Sequence, residues 1–258
     1  MSTTIQVSAR VGAMILSAAR AAGVDADALA AACGFDRRLA ADPDARMSLD
    51  MEESLWNGAS RLSGDRAFGL RAAGQLRPGL LGAGDYALRS SPTFREALAR
   101  LARYNRLVHD VAVFTVQAEA EVVRIEHAFH GTARRPDRHA SEFALAAVMT
   151  IGRQLVTEHA RAVSVCFAHP DPGLGDEHLL VFGVRPTFDA PRAELVLDRA
   201  FVEAPLTGDP GLAAVLDRHV ESLLASLPAQ TESLSYRVRR LLAETLPDGE
   251  PSRAGDPH

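Results

Sequence analysis

The 258-residue sequence contains no lysine: its 28 strongly basic side chains are all arginine, they face 33 acidic ones, and the net charge is -5. A surface evolved to lie along phosphates gathers cations on one face, so this balance argues against nucleic-acid binding by the chain itself. Cysteine is nearly missing. Cys33 and Cys166 stand far apart, which makes neither a disulfide framework nor a metal or redox spacing and points to a reducing compartment, the cytoplasm. Long apolar runs are lacking too. Arg10 and Arg20 interrupt the N-terminal stretch MSTTIQVSARVGAMILSAARAAG before it could form a signal-peptide core, and nothing reaches the roughly 20 apolar residues of a membrane span. There is no nucleophile elbow, no helix-borne zinc pair, no phosphate loop and no kinase set, so no catalytic residue, cofactor or metal is assigned and no enzyme is expected. What is present is 47% hydrophobic content, enough for the core of one large domain or two small ones.

Periodicity gives the organisation. Residues 8–22 and 25–33 read as two short helices split by Gly23, with Asp25 as N-cap and Gly34 as stop. Leu49, Met51, Leu55, Trp56 and Leu62 recur on a helical period, and the Pro78-Gly79 and Gly82/Gly84 cluster then breaks the chain. SSPTFREALARLARYNRLVH predicts a helix capped by Ser91, with Phe94, Leu98, Leu101 and Val108 on one face. The runs VAVFTVQA and VVRIEHAF predict an antiparallel hairpin, with Val123, Ile125, His127 and Phe129 on one face of the second strand. A helix over roughly Ser141–His159 follows, then the strand AVSVCFA, strand-like pieces near Val184–Phe188 and Glu194–Leu197, and a capped helix from Asp209-Pro210. A closing helix is expected from about Glu232 to Leu246. The fold class is α+β: an N-terminal helical layer, a central antiparallel β-rich part crossed by a helix, and C-terminal helices.

Four local patterns suggest chemistry. The helix-Gly-helix stretch AARAAGVDADALAAACGF has the outline of a helix-turn-helix, but its second helix offers two carboxylates and no cation, so it reads as a packed hairpin. Cys166, His169 and His178 carry ligand atoms without metal-ligand spacing and read as a core cysteine with turn histidines. The glycines of GLLGAG follow no strand and lack the dinucleotide-loop spacing. His127 stands on an otherwise apolar strand face, either as a satisfied core histidine or as a ligand contact.

Several stretches together resemble the N-terminal effector domain of AraC/XylS-type transcription regulators, the arabinose-binding-like subgroup. They are GLLGAGDYALRSSPTFREALARLARYNRLVH, CFAHPDP, FGVRPTFDAPRAELVLDRAFVEAPL and the final LPDGEPS, with the likeness running from about Ala13 to Ser252. The resemblance implies a sensory domain over 1–227, a connector helix over 228–247 and a linker over 248–258. A DNA-binding domain of two helix-turn-helix motifs would begin beyond the linker, outside this sequence. It also implies a small-molecule effector, homodimerisation and no DNA contact by this chain. An alternative is a stand-alone domain that pairs with full-length homologues. The effector is expected where the helical layer meets the β-rich middle, with Tyr86, Arg89, Tyr104, His109, His127, Phe129 and Arg153 as candidate liners. Arg89 or Arg153 would suit a carboxylate, tyrosine and histidine a sugar.

Overall fold

Side-chain caps set most helix starts. In the computed structural model, which describes residues 4–42, 44–156 and 160–227, helix α1 (Ala9–Ala21) follows Ser8, and α2 (Ala26–Ala32) starts where the Asp25 carboxylate accepts from the Asp27 and Ala28 N–H groups. Ser48 Oγ accepts from Met51 N to open α3 (Leu49–Ser63), which left-handed Gly64 ends. Two three-residue strands, β1 (Gln6–Ser8) and β2 (Arg46–Ser48), pair antiparallel and tie α1 to α3. Together α1–α3 bury Met14, Ile15, Leu29, Leu55 and Trp56 in one core. The α1/α2 hairpin is part of that core.

Two short helices, α4 (Phe68–Ala73) and α5 (Ala83–Arg89), escape the sequence pattern. Next comes α6 (Phe94–Tyr104), capped by Thr93 and not by Ser91: Thr93 Oγ1 accepts from Glu96 N at 3.2 Å, and Glu96 three residues on makes this a capping-box sequence. Thr93→Ala is expected to lower stability by about 1 kcal/mol in urea unfolding, whereas Ser91→Ala leaves α6 capped. The helix ends before Val108 because Asn105–Leu107 tightens into a 3-10 turn.

The hairpin forms as the alternation predicts, from β3 (Ala112–Ala118) and β4 (Val122–Phe129), with Phe114 opposite His127. With β5 (Ala162–Cys166) and β6 (Ala193–Asp198) they make an antiparallel sheet in the order β3-β4-β6-β5. Glu194–Leu197 is thus a strand, but Val184–Phe188 is not: it forms one bridge, Thr187 to Cys166, and Pro186 has no N–H to continue it. Helix α7 (Arg138–Leu155) crosses the sheet, capped by Asp137 and so starting three residues before the expected Ser141; Val156 turns extended after it. Short α8 (Glu177–Phe182) and α9 (Arg199–Val202) flank β6 in sequence, and α10 (Pro210–Ser226) starts at Asp209-Pro210 as expected. The expected closing helix over Glu232–Leu246, the connector and linker spans 228–247 and 248–258, and the end of the Ser141–His159 helix lie outside the described residues.

The inner face of the sheet, α7, α4 and α6 enclose a second core containing Phe94, Leu98, Ile125, Leu145, Leu195 and Phe167. Leu80, Leu81 and Phe143 pack against both cores, so the cores meet along a seam between the helical layer and the sheet. No described helix is long and apolar enough to cross a membrane.

Candidate functional site

Three ionisable side chains from three parts of the chain converge at this seam. Glu52 comes from α3, where the 3.6-residue period that buries Leu49, Leu55, Trp56 and Ala59 also buries this carboxylate. His109 comes from the bend before β3, and His127 from the inward face of β4. All three are buried. Glu52 Oε1 accepts from Trp56 Nε1 at 3.2 Å. Its Oε2 stands 3.4 Å from His109 Nε2, an ion-pair distance short of a well-formed hydrogen bond, and neither atom has another partner. His109 Nδ1 accepts from the backbone N–H groups of Val111 and Ala112 at 3.2 and 3.1 Å. Nδ1 is therefore unprotonated, and the imidazole proton sits on Nε2, facing Glu52.

Rings link this pair to His127. Phe129 packs on His109 with centroids 4.9 Å apart and on His127 at 6.4 Å, while Phe114 covers His127 at 5.0 Å. His127 Nδ1 has no hydrogen-bond partner. Burial, with a smaller contribution from His109, pushes the His127 imidazole down to about 3. It is neutral in the folded protein, while the unfolded chain takes up a proton below about 6.5. Its contribution to stability is thus full above about pH 6.5 and falls away as pH drops toward 3. Between neutral pH and about pH 5 the loss from this residue is expected to be about 2 kcal/mol. In urea unfolding at the two pH values, His127→Leu should flatten the pH dependence by that amount; an unchanged slope would exclude His127 as its source.

Of the seven residues expected to line the site, the structure brings together His109, His127 and Phe129. The others lie apart from this cluster. Tyr86 is half exposed, its ring against Gly79. Arg89 is held by Asp85 Oδ1 and Gln154 Oε1, each at 2.8 Å, though its Nη2 has no partner. Tyr104 donates to Asp217 Oδ1 at 2.7 Å, and Arg100 binds the same carboxylate through Nε and Nη2 at 3.0 and 2.7 Å, fixing α10 on α6. Burial and the Asp217 contact push the Tyr104 hydroxyl up, and the Arg100 guanidinium holds the Asp217 carboxyl down. Arg153 is exposed and donates to Ala160 O.

Sequence reasoning passed over Glu52, Phe114, Asp217 and Glu142. The signal for Glu52 is a carboxylate four residues before the single tryptophan on an apolar helix face. Glu142, on α7, is fully buried: His178 Nε2 lies 3.1 Å from one oxygen and His169 Nε2 3.8 Å, while Arg138 Nη1 donates to the other at 3.0 Å. Cys166 is not in this group; its thiol donates to Arg192 O. Among the described residues no three His, Cys, Asp or Glu side chains are arranged to hold a metal ion. An open surface cleft of about 410 Å³ is lined by 63–67, Arg71, Gly173, Leu174 and Glu177. Arg71 pairs there with Asp65 at 3.2 Å and with Glu177 at 2.9 Å, and Arg66 donates to Pro172 O. The seam, in contrast, holds polar atoms without full partners inside an apolar surround.

A family model described as the arabinose-binding domain of AraC transcription regulators, N-terminal, matches residues 23–206. The chain belongs to this family. Family membership places this arabinose-binding-type domain with transcription regulators. No curated protein matches the chain. Among solved structures the domain is similar to the transcriptional regulator CdpR from Pseudomonas aeruginosa, with 16% sequence identity, 74% of this chain and 72% of that chain covered, and a TM-score of 0.52. At that identity the likeness speaks to the fold alone.

Proposed function

We propose that this chain is the ligand-sensing part of an AraC-type regulator, that a small-molecule effector binds at the seam, and that binding controls a helix-turn-helix domain outside the sequence. The observation that carries the reading is the convergence of Glu52, His109 and His127, each with a polar atom lacking a full partner, at the junction of two apolar cores. The coupling has a short route. His109 N donates to Asn105 O, and Tyr104, one residue earlier, holds Asp217 of α10. An effector that prefers one placement of His109 therefore biases how α10 is seated, and its differential affinity for the two placements sets the size of the response. The chain would work in the cytoplasm without a cofactor.

The test is a small-molecule screen by thermal shift. Compounds that raise the melting temperature of the chain should lose most of that effect in His127→Leu and keep it in the cleft variant Arg71→Ala. The opposite pattern would move the site to the cleft.

Homodimerisation is a second element of the proposal, favoured by one observation: α10 leaves Leu212 and Val215 half exposed, 49% and 53%, on one side of the helix. Sedimentation should show a dimer that Val215→Glu weakens; a monomer at every concentration would remove this element and leave the sensing role standing.

A further inference from the structure

We propose that the seam takes a flat, uncharged ring bearing a hydroxyl group, and neither a carboxylate nor a sugar. The inference rests on the reading of the seam as the effector site.

Charge decides the first half. The seam already holds the Glu52 carboxylate, and its facing partner His109 carries a single proton, on Nε2. Arg46 of the adjoining β2 is engaged by Asp110, Leu107 O and Gln6 O. A carboxylate ligand would be a second buried anion without a counter-charge, which low-dielectric surroundings oppose strongly.

Hydrogen-bond capacity and shape decide the rest. His127 Nδ1 is an unpartnered atom on a residue 5% exposed. A hydroxyl both donates and accepts, so it satisfies that nitrogen in either tautomer, and Glu52 Oε2 accepts from a hydroxyl equally well. The surrounding walls are the rings of Phe114 and Phe129, with Phe143 behind them against Trp56. They offer ring faces to an aromatic ligand. A pentose brings several hydroxyls to a place with three incompletely paired polar atoms, and each hydroxyl left over is desolvated without return. Phe129 is half-buried, so the seam reaches solvent at that ring.

Phenol, benzoate and L-arabinose are matched probes of the three chemistries. The chain, labelled with 15N in its histidine rings, is titrated with each by NMR. Phenol is expected to shift the His109 and His127 ring signals saturably, with benzoate and L-arabinose at least about tenfold weaker, and His127→Leu should weaken phenol by about tenfold. If benzoate or L-arabinose moves the same two histidines at equal or higher affinity, the ligand class is overturned and the site stands. If no probe moves either histidine, the seam itself is wrong as the site and the inference falls with it.

Discussion

Glu52→Leu is expected to destabilise the domain by about 3 kcal/mol, although it puts an aliphatic side chain into an apolar layer. The carboxylate accepts from Trp56 Nε1 at 3.2 Å and faces the proton on His109 Nε2, 3.4 Å away and short of a full hydrogen bond. Trp56 is fully buried between Phe68 and Phe143, and His109 is pinned by the Val111 and Ala112 N–H groups, so neither can turn toward water. Losing the Trp56 hydrogen bond and the charge that faces the His109 N–H costs about 1–3 kcal/mol each, against the roughly 1–2 kcal/mol gained by burying aliphatic surface in place of a charge. Glu52→Gln keeps an acceptor for Trp56 and should lose only about 1 kcal/mol. The double change Glu52→Leu with His109→Leu removes one orphan and should recover part of the loss. Urea unfolding of the three variants gives the answer: a neutral or stabilising Glu52→Leu would mean that the carboxylate does not hold the seam together.

Gly69→Ala is expected to cost about 2 kcal/mol. On α4 the added Cβ would lie 2.4 Å from His139 O and 2.9 Å from its Cα, both backbone atoms of the first turn of α7. A flexible side chain could swing aside, but two packed helix backbones separate only by shifting one of them. Overpacking of this kind costs about 3 kcal/mol, more than the roughly 1 kcal/mol that alanine gains over glycine inside a helix. At about 2–4 °C per kcal/mol for a domain of this size, the melting temperature should drop by about 4–8 °C. Gly84→Ala is the control: its Cβ would meet Tyr104 Cβ at an ordinary 3.5 Å, so the helix gain should show as unchanged or slightly raised stability. Equal melting temperatures for Gly69→Ala and wild type would show that α4 and α7 are not locked by this approach.

The β3/β4 hairpin was legible because period two runs through eight residues of β4, and α2 and α10 because Asp25 and Asp209-Pro210 are strong local start signals. The short helices α4 and α5 were not, since each is under eight residues and is bracketed by glycines that read as breaks. Strands β1 and β2 exist only through their pairing across about forty residues of chain, which no local window contains. At the site, His127 and Phe129 were legible as a polar residue and its neighbour on an apolar strand face. Glu52 is hidden in the sequence because the period of α3 shows in its hydrophobic residues, and even that period overreaches, since Leu62 is 55% exposed. Charge alone makes an arginine look like a ligand contact, yet Arg89 has its counter-ion four residues earlier in Asp85, a spacing present in the sequence. The clamp between Tyr104 and Asp217 joins residues 113 apart and needed the fold.

An effector bound among Glu52, His109 and His127 should protect the amides around it. Amide hydrogen exchange on the chain, with and without the first compound that stabilises it, tests this most directly. Added protection is expected in the first turns of α3, in 105–114 and along β4. Protection confined to α4 and the 173–178 segment around the surface cleft, with the seam unchanged, would contradict it.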